Sequence, residues 1–266
     1  MVRVCLSTSG ALTALTALAA LGLFACTSAT RGAGPASDAG PDGRAADAGE
    51  ACTLSTALTP QKPPSYYVDQ GNRYFDAIDT TVSAESVPLY SPLVARWEWP
   101  PWLKLTGYTQ SMMAESDQLL KTLAPAKVAP RECRFFPVQP FARCRVAFTY
   151  TNQGDGKPCA IYEEFTFNDK GEMTFVEAWS DLPGLLASGP SDPWAEGAGV
   201  HRLSTRVPGL GTPTGRIDPA GACMKRAAAA DPEVADFATR AGDLWVYWGN
   251  ENSKAGSDYF ARGCGW

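Results

Sequence analysis

Residues 133–180 alternate apolar and polar side chains over four stretches that turn residues separate. Alternation with a period of two is typical of strands that bury one face. The turns include a glycine-rich segment at 151–158 and a strong hairpin signal, Asn168-Asp169-Lys170-Gly171. The pattern therefore predicts an antiparallel meander. Its predicted strands are 133–136, 141–150, 159–167 and 172–180.

Helical spacing appears before these strands and again near the C-terminus. Residues 65–80 place apolar or small side chains on one face, with Ser65 as a candidate N-cap, and residues 111–124 repeat the pattern over a shorter length. Asp231 and Pro232 predict the start of a further helix. We expect the apolar stripe of that helix to dock on the sheet.

Two proline-rich segments connect these elements. Residues 87–108 contain four prolines and so cannot form one continuous helix. Residues 182–222 are rich in glycine and proline and predict a long connection that runs along the surface. The folded part of the chain is therefore expected to be one α+β domain followed by a C-terminal extension.

A family resemblance rests on the order of these elements and on the last hairpin. A helix ending in Tyr74-Phe75-Asp76-Ala77 precedes a proline- and tryptophan-rich crossover, a short helix and strands that end in EEFTFNDKGEMTFVEAWSD. This combination resembles the nuclear transport factor 2-like superfamily, particularly its SnoaL-like branch, over residues 61–182. The resemblance implies a curved antiparallel sheet that wraps around helices and forms a cone-shaped pocket. Residues 183–266 would then be a Gly/Pro-rich connection and a C-terminal helix packed on the domain.

The N-terminal segment is expected to lie outside this fold. An uncharged run rich in alanine and leucine ends in Leu23-Phe24-Ala25-Cys26, which resembles the lipobox of bacterial lipoproteins. The resemblance implies a signal peptide over residues 1–25 and lipidation of Cys26. Residues 26–60 are rich in Ala, Gly, Asp, Ser and Pro, a composition typical of a flexible tether. An uncleaved transmembrane anchor or an ordinary signal peptide is the alternative.

The lipobox resemblance also predicts a location. The lipid would hold the protein on a membrane of the cell envelope. Thr27 follows the lipidated cysteine in place of the aspartate that retains enterobacterial lipoproteins in the inner membrane. The outer membrane is therefore the expected site.

The cysteine count supports an exported domain. Of the eight cysteines, Cys5 would leave with the signal peptide and Cys26 would carry the lipid. An even number of cysteines in an exported domain indicates disulfides. The remaining candidates are Cys52, Cys133, Cys144, Cys159, Cys223 and Cys264. If the first hairpin turns at Val138-Gln139, then Cys133 and Cys144 lie opposite each other, and they form our preferred bridge.

Charge and histidine content exclude several classes of protein. The net charge of −5 argues against nucleic acid as a partner, because phosphate binding needs clustered Lys and Arg. A single histidine, His201, excludes multi-histidine metal sites, and no cysteine pair has the CxxC spacing of a zinc site. Neither a metal nor a cofactor is expected. His201 itself lies between Gly/Pro-rich stretches, which favours a surface role over a general base.

Candidate ligand-binding residues are aromatic or acidic. Three tryptophans lie within six positions, and they either form a platform for a flat apolar ligand or plug the apolar face of the sheet, which we favour. Among the acids, Asp76 and Asp79 are more simply explained as a solvated helix face. The predicted ligand-binding set is Trp97, Trp99, Trp102, Tyr108, Glu164, Glu177 and Trp179.

The two glutamates of this set follow from strand alternation. Glu164 lies on the face opposite Ile161 and Phe165, so it is exposed if those apolar residues pack inward. Glu177 is the polar member of a face of large apolar residues, and three roles are open to it: a structural salt bridge, an exposed strand end or an acid with a shifted pKa.

Two classes of function fit this sequence best. The leading hypothesis is a non-catalytic lipoprotein that binds a small apolar molecule or a partner. The alternative is a SnoaL-like lyase or isomerase that acts on an apolar ring through a buried carboxylate and a Tyr donor. A third class, a scaffolding lipoprotein, requires a contiguous apolar surface patch.

Overall fold

The structure is a computed structural model, and the residues it describes all lie in one compact unit. They are residues 59–83, 87–98, 107–123, 125–151, 156, 158–181, 194, 203–210 and 217–242. The predicted signal peptide, Cys26 and nearly all of the predicted tether lie outside these ranges. Within the described ranges, no helix is long and apolar enough to cross a membrane.

Helices and strands follow one another in an α+β order. They are α1 (Pro64–Ile78), β1 (Tyr90–Glu98), β2 (Gly107–Tyr108), α2 (Gln110–Leu123), β3 (Ala126–Phe135), β4 (Ala142–Tyr150), β5 (Cys159–Phe167), β6 (Met173–Ser180), a 3-10 turn (Leu203–Thr205), α3 (Ala222–Ala230) and α4 (Pro232–Gly242). The expected fold class, a curved sheet with helices, is confirmed.

The described strands form an open, curved sheet in the order β2-β1-β6-β5-β4-β3. The predicted meander is present, since β3, β4, β5 and β6 pair antiparallel in sequence order. The whole sheet is nevertheless mixed, because β1 pairs parallel with β6. Strand β1 was not predicted because it contains Pro92, and proline is rare inside strands. The register of β1 with β6 shifts between Tyr90 and Ala95.

Helix α1 packs closely on one face of the sheet, which we call the inner face. It begins at Pro64 without a side-chain cap from Ser65, and it buries Tyr67, Tyr74 and Phe75 among others. The approach is close at Gly71, where an added Cβ would lie 3.1 Å from the Sγ atom of Cys144. A side chain at this position would therefore force the neighbouring Cys144 and Phe165 side chains to shift by a few tenths of an ångström.

The opposite, outer face is covered by the C-terminal extension, here residues 203–242 in its described parts. As predicted, α4 begins at Pro232, and Asp231 caps it by accepting a hydrogen bond from the Glu233 amide at 3.0 Å. The helix buries Val234 and Phe237 against sheet residues. Helix α3 was not predicted; it lies between the predicted connection, which ends at residue 222, and the predicted start of the next helix at Asp231. Both faces of the sheet are thus buried.

The preferred disulfide is confirmed. Cys133 and Cys144 face each other in the β3–β4 register, and a disulfide joins them with a Cα–Cα distance of 4.0 Å. Cys159 takes part in a disulfide, and so does Cys223. The other two candidates, Cys52 and Cys264, lie outside the described residues.

Candidate functional site

Three aromatic residues of the predicted set are described, Trp97, Tyr108 and Trp179, and they lie on the outer face. Trp97 packs edge-on against Phe237, with 6.1 Å between ring centroids, and the Arg240 guanidinium lies 3.8 Å from the Trp97 ring centroid. Tyr108 donates a hydrogen bond to the carbonyl oxygen of Ile217. Trp179 is fully buried, and its Nε1 has no hydrogen-bond partner among the described residues. These contacts are those of core packing, and ligand binding by this set stays a prediction.

Trp99 and Trp102 lie outside the described residues. Of the three clustered tryptophans, Trp97 is the one that the structure describes. It fills the interface between β1 and α4. At this position the tryptophan plugs the apolar face of the sheet, as we favoured.

The acidic residues of the predicted set also lie on the outer face, where each has partners. The Nε atom of Arg143 is 2.6 Å from Oε1 of Glu164, and both side chains are buried. Glu177 accepts hydrogen bonds from the backbone amides of Leu203 at 2.7 Å and Ser204 at 3.1 Å. The expectation of an exposed Glu164 was wrong, because the side chain is buried against Arg143 of the neighbouring strand. Glu177 is not an exposed strand end, since it is buried and binds the turn at Leu203–Thr205.

Asp79 was also placed wrongly by the sequence, since it is buried. Its Oδ2 atom accepts hydrogen bonds from Arg131 at 2.7 Å and from the Val128 amide at 3.0 Å. Hydrogen bonds from Thr81, Val128 and Arg131 outweigh the effect of burial and lower the pKa of Asp79. Arg131 also pairs with Asp76 at 2.5 Å. These contacts fasten the end of α1 to β3, which is a structural role.

The buried charges that have no such explanation lie on the inner face. Alternation along β1 turns Arg96 and Glu98 inward beside Val94, while β5 turns Glu163 inward between Ile161 and Phe165. Helices α1 and α2 add hydroxyl and carboxyl groups from the other side. We call this set the interior cluster: Tyr74, Tyr90, Arg96, Glu98, Ser116, Asp117 and Glu163, all exposed by 5% or less.

Arg96 lies at the centre of the interior cluster. Its Nη1 atom is 3.1 Å from the hydroxyl of Tyr74 and 3.2 Å from Oδ1 of Asp117. Its Nη2 atom donates to Ser116 at 2.7 Å, and its Nε atom is 3.6 Å from Oε1 of Glu98. Burial lowers the pKa of Arg96, but Tyr74, Asp117 and Glu98 raise it by more than burial lowers it. The guanidinium therefore stays charged.

Asp117 is an acid whose proton affinity is raised by its surroundings. Burial raises the pKa of Asp117 to about 6, against the opposing effect of Arg96. Its Oδ2 atom is 3.5 Å from the hydroxyl of Tyr90, at the limit of hydrogen bonding. Asp117 is therefore mostly ionised at neutral pH, and it can accept a proton.

Glu163 differs from every other carboxylate described above. Its Oε2 atom is buried and has no hydrogen-bond partner among the described residues. Burial raises the pKa of Glu163 well above its usual range; Arg96 and a hydrogen bond with Tyr74 lower it, while Glu98 and Asp117 raise it further. The surroundings therefore favour the protonated form of Glu163, and its side chain faces the cluster with a polar atom that has no partner among the described residues.

The tyrosines of the cluster are donors. Burial raises the pKa of Tyr74 well above its usual range, and the charge of Glu163 adds to the effect. Burial and the nearby Asp117 do the same for Tyr90. Both phenols keep their protons at physiological pH, so the cluster combines the Arg96 guanidinium with three carboxyl groups and three hydroxyl groups.

The three acids do not form a metal site. Among the described residues, no group of three or more His, Cys, Asp or Glu side chains is arranged to hold a metal ion.

The sequence analysis did not select Arg96, Asp117 or Glu163. A signal was present for Glu163, because it alternates with Ile161 and Phe165 and is the polar residue on an apolar face, which was the argument applied to Glu177. Asp117 follows Met113 by four residues, which places it on the buried side of α2. Arg96 carried no signal, since β1 was not recognised as a strand.

Comparisons with known proteins identify no family for this chain. No protein-family model matches it, and no curated protein matches it. Among solved structures, one described as a "putative polyketide cyclase" from Pseudomonas putida KT2440 matches with a TM-score of 0.35 and 13% identity. The match covers 44% of this chain and 92% of that one. A similarity this slight supports no argument about function.

Proposed function

We propose that this protein binds a small apolar molecule inside its curved sheet, with the interior cluster supplying the polar contacts. One observation supports this above the others: the buried Oε2 atom of Glu163 has no hydrogen-bond partner among the described residues. Leaving such an atom unsatisfied costs about 1–3 kcal/mol. Most buried polar atoms in proteins have a hydrogen-bond partner, so an atom without one is unusual. A polar group of a bound ligand would supply the missing hydrogen bond and remove the cost.

The surroundings of the cluster suit an apolar ring. The ring of Tyr74 is 5.1 Å from that of Phe165 and 5.2 Å from that of Phe75, measured between centroids. Binding sites for small molecules are mostly apolar and aromatic, with a few convergent polar groups that fix the orientation of the ligand. The inner face has this composition around the interior cluster. This favours ligand binding at the interior cluster over binding at the tryptophans of the outer face.

A second candidate function, proton transfer by a lyase or isomerase, is favoured by the Asp117–Tyr90 pair. Groups whose environments drive their pKa values apart are typical of acid–base pairs in enzymes. Asp117, with a pKa of about 6, would take a proton from a substrate carbon. Tyr90, Tyr74 or protonated Glu163 would donate a hydrogen bond to the substrate oxygen on which negative charge develops.

Ligand binding is tested by a thermal-shift screen of small alicyclic and aromatic compounds that carry alcohol, carbonyl, amine or carboxylate groups. Hits should stabilise the wild-type chain and lose that effect in Glu163→Leu. Glu132→Leu on exposed β3 is the matched control and should respond like the wild type. If no compound stabilises the wild type, the proposal is wrong.

Proton transfer requires a different readout. The carbon-bound protons of a bound ketone should exchange with deuterated water in the presence of the wild type, as followed by NMR. Asp117→Asn should abolish this exchange and keep ligand binding. Binding without exchange in the wild type would leave a binding protein and would exclude the enzyme.

We further propose that the protein is a lipoprotein of the cell envelope, held by a lipid on Cys26. The lipobox resemblance supports this, and so do the disulfides at Cys133–Cys144, Cys159 and Cys223, because disulfides persist in oxidising compartments. In cells fed a labelled fatty acid, Cys26→Ser should remove the label and Cys5→Ser should keep it. Equal labelling of the Cys26→Ser chain would contradict the anchor.

A further inference from the structure

We propose that two copies of this chain associate through the open edge of β3, by which we mean the side of residues 131–135 that faces away from β4. The two strands would run antiparallel, with Cys133 at the two-fold axis, so that the sheet continues from one copy into the other. This inference is independent of the ligand proposed at the interior cluster. Three features support it: the position of the edge, its backbone groups and its charges.

Strand β3 is the last strand in the order of the sheet, so one of its sides has no neighbouring strand among the described residues. The chain itself covers the first half of this side. The Thr80 amide donates to the carbonyl oxygen of Ala126 at 2.9 Å, and Oδ2 of Asp79 accepts from the Val128 amide at 3.0 Å. No such contact continues along the second half within the described part of the chain.

The open edge begins where the first half ends. Pro130 offers no N–H group, and the register of β3 with β4 shifts between Val128 and Arg131. From Arg131 to Phe135 the register is regular. The open edge is therefore a straight stretch of strand that the chain leaves uncovered.

The backbone groups of the open edge follow from the alternation of an antiparallel ladder. The Phe136 amide donates to the carbonyl oxygen of Phe141 at 2.9 Å, so the register makes Cys133 and Cys144 a non-hydrogen-bonded pair. Cys133 and the residues two positions before and after it therefore direct their N–H and C=O groups away from β4. These groups have no hydrogen-bond partner among the described residues, and they form the row that a further strand needs.

A second copy of β3 fits this row when it runs antiparallel with Cys133 opposite Cys133. Arg131 of one copy then lies opposite Phe135 of the other, and the two-fold axis repeats the pair. Residues in each such pair exchange two backbone hydrogen bonds, so the contact would contain about six. The same surface serves both copies, as a two-fold symmetric dimer requires.

The charges of the open edge are complementary to those of a second copy. The side chains of Glu132 and Arg134 are exposed by 54% and 47%. In this register, Glu132 of each copy lies opposite Arg134 of the other, and opposite charges across a strand pair are stabilising. A register shifted by two residues in either direction would place Glu132 opposite Glu132, or Arg134 opposite Arg134. The charges therefore favour a second copy as the partner, and they favour the register centred on Cys133.

Sedimentation velocity of the full chain at increasing concentration tests the inference, and we expect an equilibrium between monomer and dimer. Glu132→Arg and Arg134→Glu should each raise the dissociation constant about tenfold or more, because both opposite-charge pairs become like-charge pairs. The double variant Glu132→Arg/Arg134→Glu should restore the affinity of the wild type, because it exchanges the charges and keeps them complementary. Glu115→Arg makes the same charge change on the exposed side of α2 and should leave the dimer intact.

Thermal melting shows whether each variant is folded. If Glu132→Arg does not fold, Arg134→Glu and the concentration dependence of the wild type still decide the question. A wild type that sediments as a monomer at every concentration overturns the inference. A dimer that both single variants leave unchanged lies on another surface, and failure of the double variant to restore the dimer contradicts the register; either result overturns the inference as well.

Discussion

The two faces of the sheet bury charge in different ways. On the outer face, Arg143 and Glu164 form an ion pair, and Glu177 binds two backbone amides. On the inner face, Arg96 is surrounded by several groups, but Glu163 keeps an oxygen without a partner among the described residues. The comparison shows that the two faces differ in what a buried carboxylate contacts and not in whether it is buried, because Glu164 and Glu177 each contact donors while one oxygen of Glu163 has none among the described residues.

Adjacent residues make this comparison experimentally clean. Glu163 and Glu164 lie next to each other on β5, are both almost fully buried and face opposite sides of the same sheet. If the outer face is structural and the inner face is a site, the two glutamates should respond very differently to substitution.

The largest effect is expected on the outer face, from Glu164→Ala. The change leaves the Arg143 guanidinium buried without its carboxylate partner. Breaking a buried ion pair from one side costs about 3–5 kcal/mol of unfolding free energy, measurable by urea denaturation. The exposed Arg134–Glu132 pair supplies the control, and Glu132→Ala should cost less than about 1 kcal/mol. Similar losses for the two variants would contradict the comparison.

A somewhat smaller effect is expected from Glu177→Ala, which removes the acceptor of the Leu203 and Ser204 amides. Two buried donors would lose their partner, at a cost of about 2–4 kcal/mol. These amides lie in the turn at Leu203–Thr205 of the C-terminal extension. Limited proteolysis should therefore cut the variant near residues 203–210 sooner than the wild type. An unchanged cleavage pattern would show that Glu177 does not hold the extension.

The difference between the faces also explains what the sequence could predict. Period-two alternation gave the four strands of the meander and the cysteine pair, because both depend on local register. The role of Glu177 depends on Leu203 and Ser204, which lie 26 and 27 residues away, and no local pattern encodes that contact. The interior cluster could not be predicted because three of its residues, Tyr90, Arg96 and Glu98, lie on β1. That strand was not predicted because it contains Pro92.

A third prediction concerns pH and the inner face. Asp117 has a folded pKa of about 6, above its ordinary value of 3.8. Its contribution to stability is therefore complete below about pH 3.8 and is lost as the pH rises through about 6. A shift of about two pKa units corresponds to a loss of up to about 3 kcal/mol. Urea denaturation across this range should reveal the slope, and Asp117→Asn should flatten it. A stability that rises over the same interval would contradict the raised pKa.

The smallest effect is expected from Glu163→Gln near pH 4, where the free energy of unfolding should change by less than about 1 kcal/mol because the carboxyl is protonated in the folded chain and largely protonated in the unfolded one. Glutamine has the shape and the neutral charge of a protonated glutamate, so nothing that the folded protein uses is lost. The folded pKa of Glu163 lies well above its ordinary value of 4.5, so the wild type gives up stability as the pH rises through that folded pKa. Glutamine cannot ionise, and the variant should become the more stable protein under alkaline conditions. A loss as large as that expected for Glu164→Ala would mean that Glu163 is a structural ion, and the distinction between the two faces would fail.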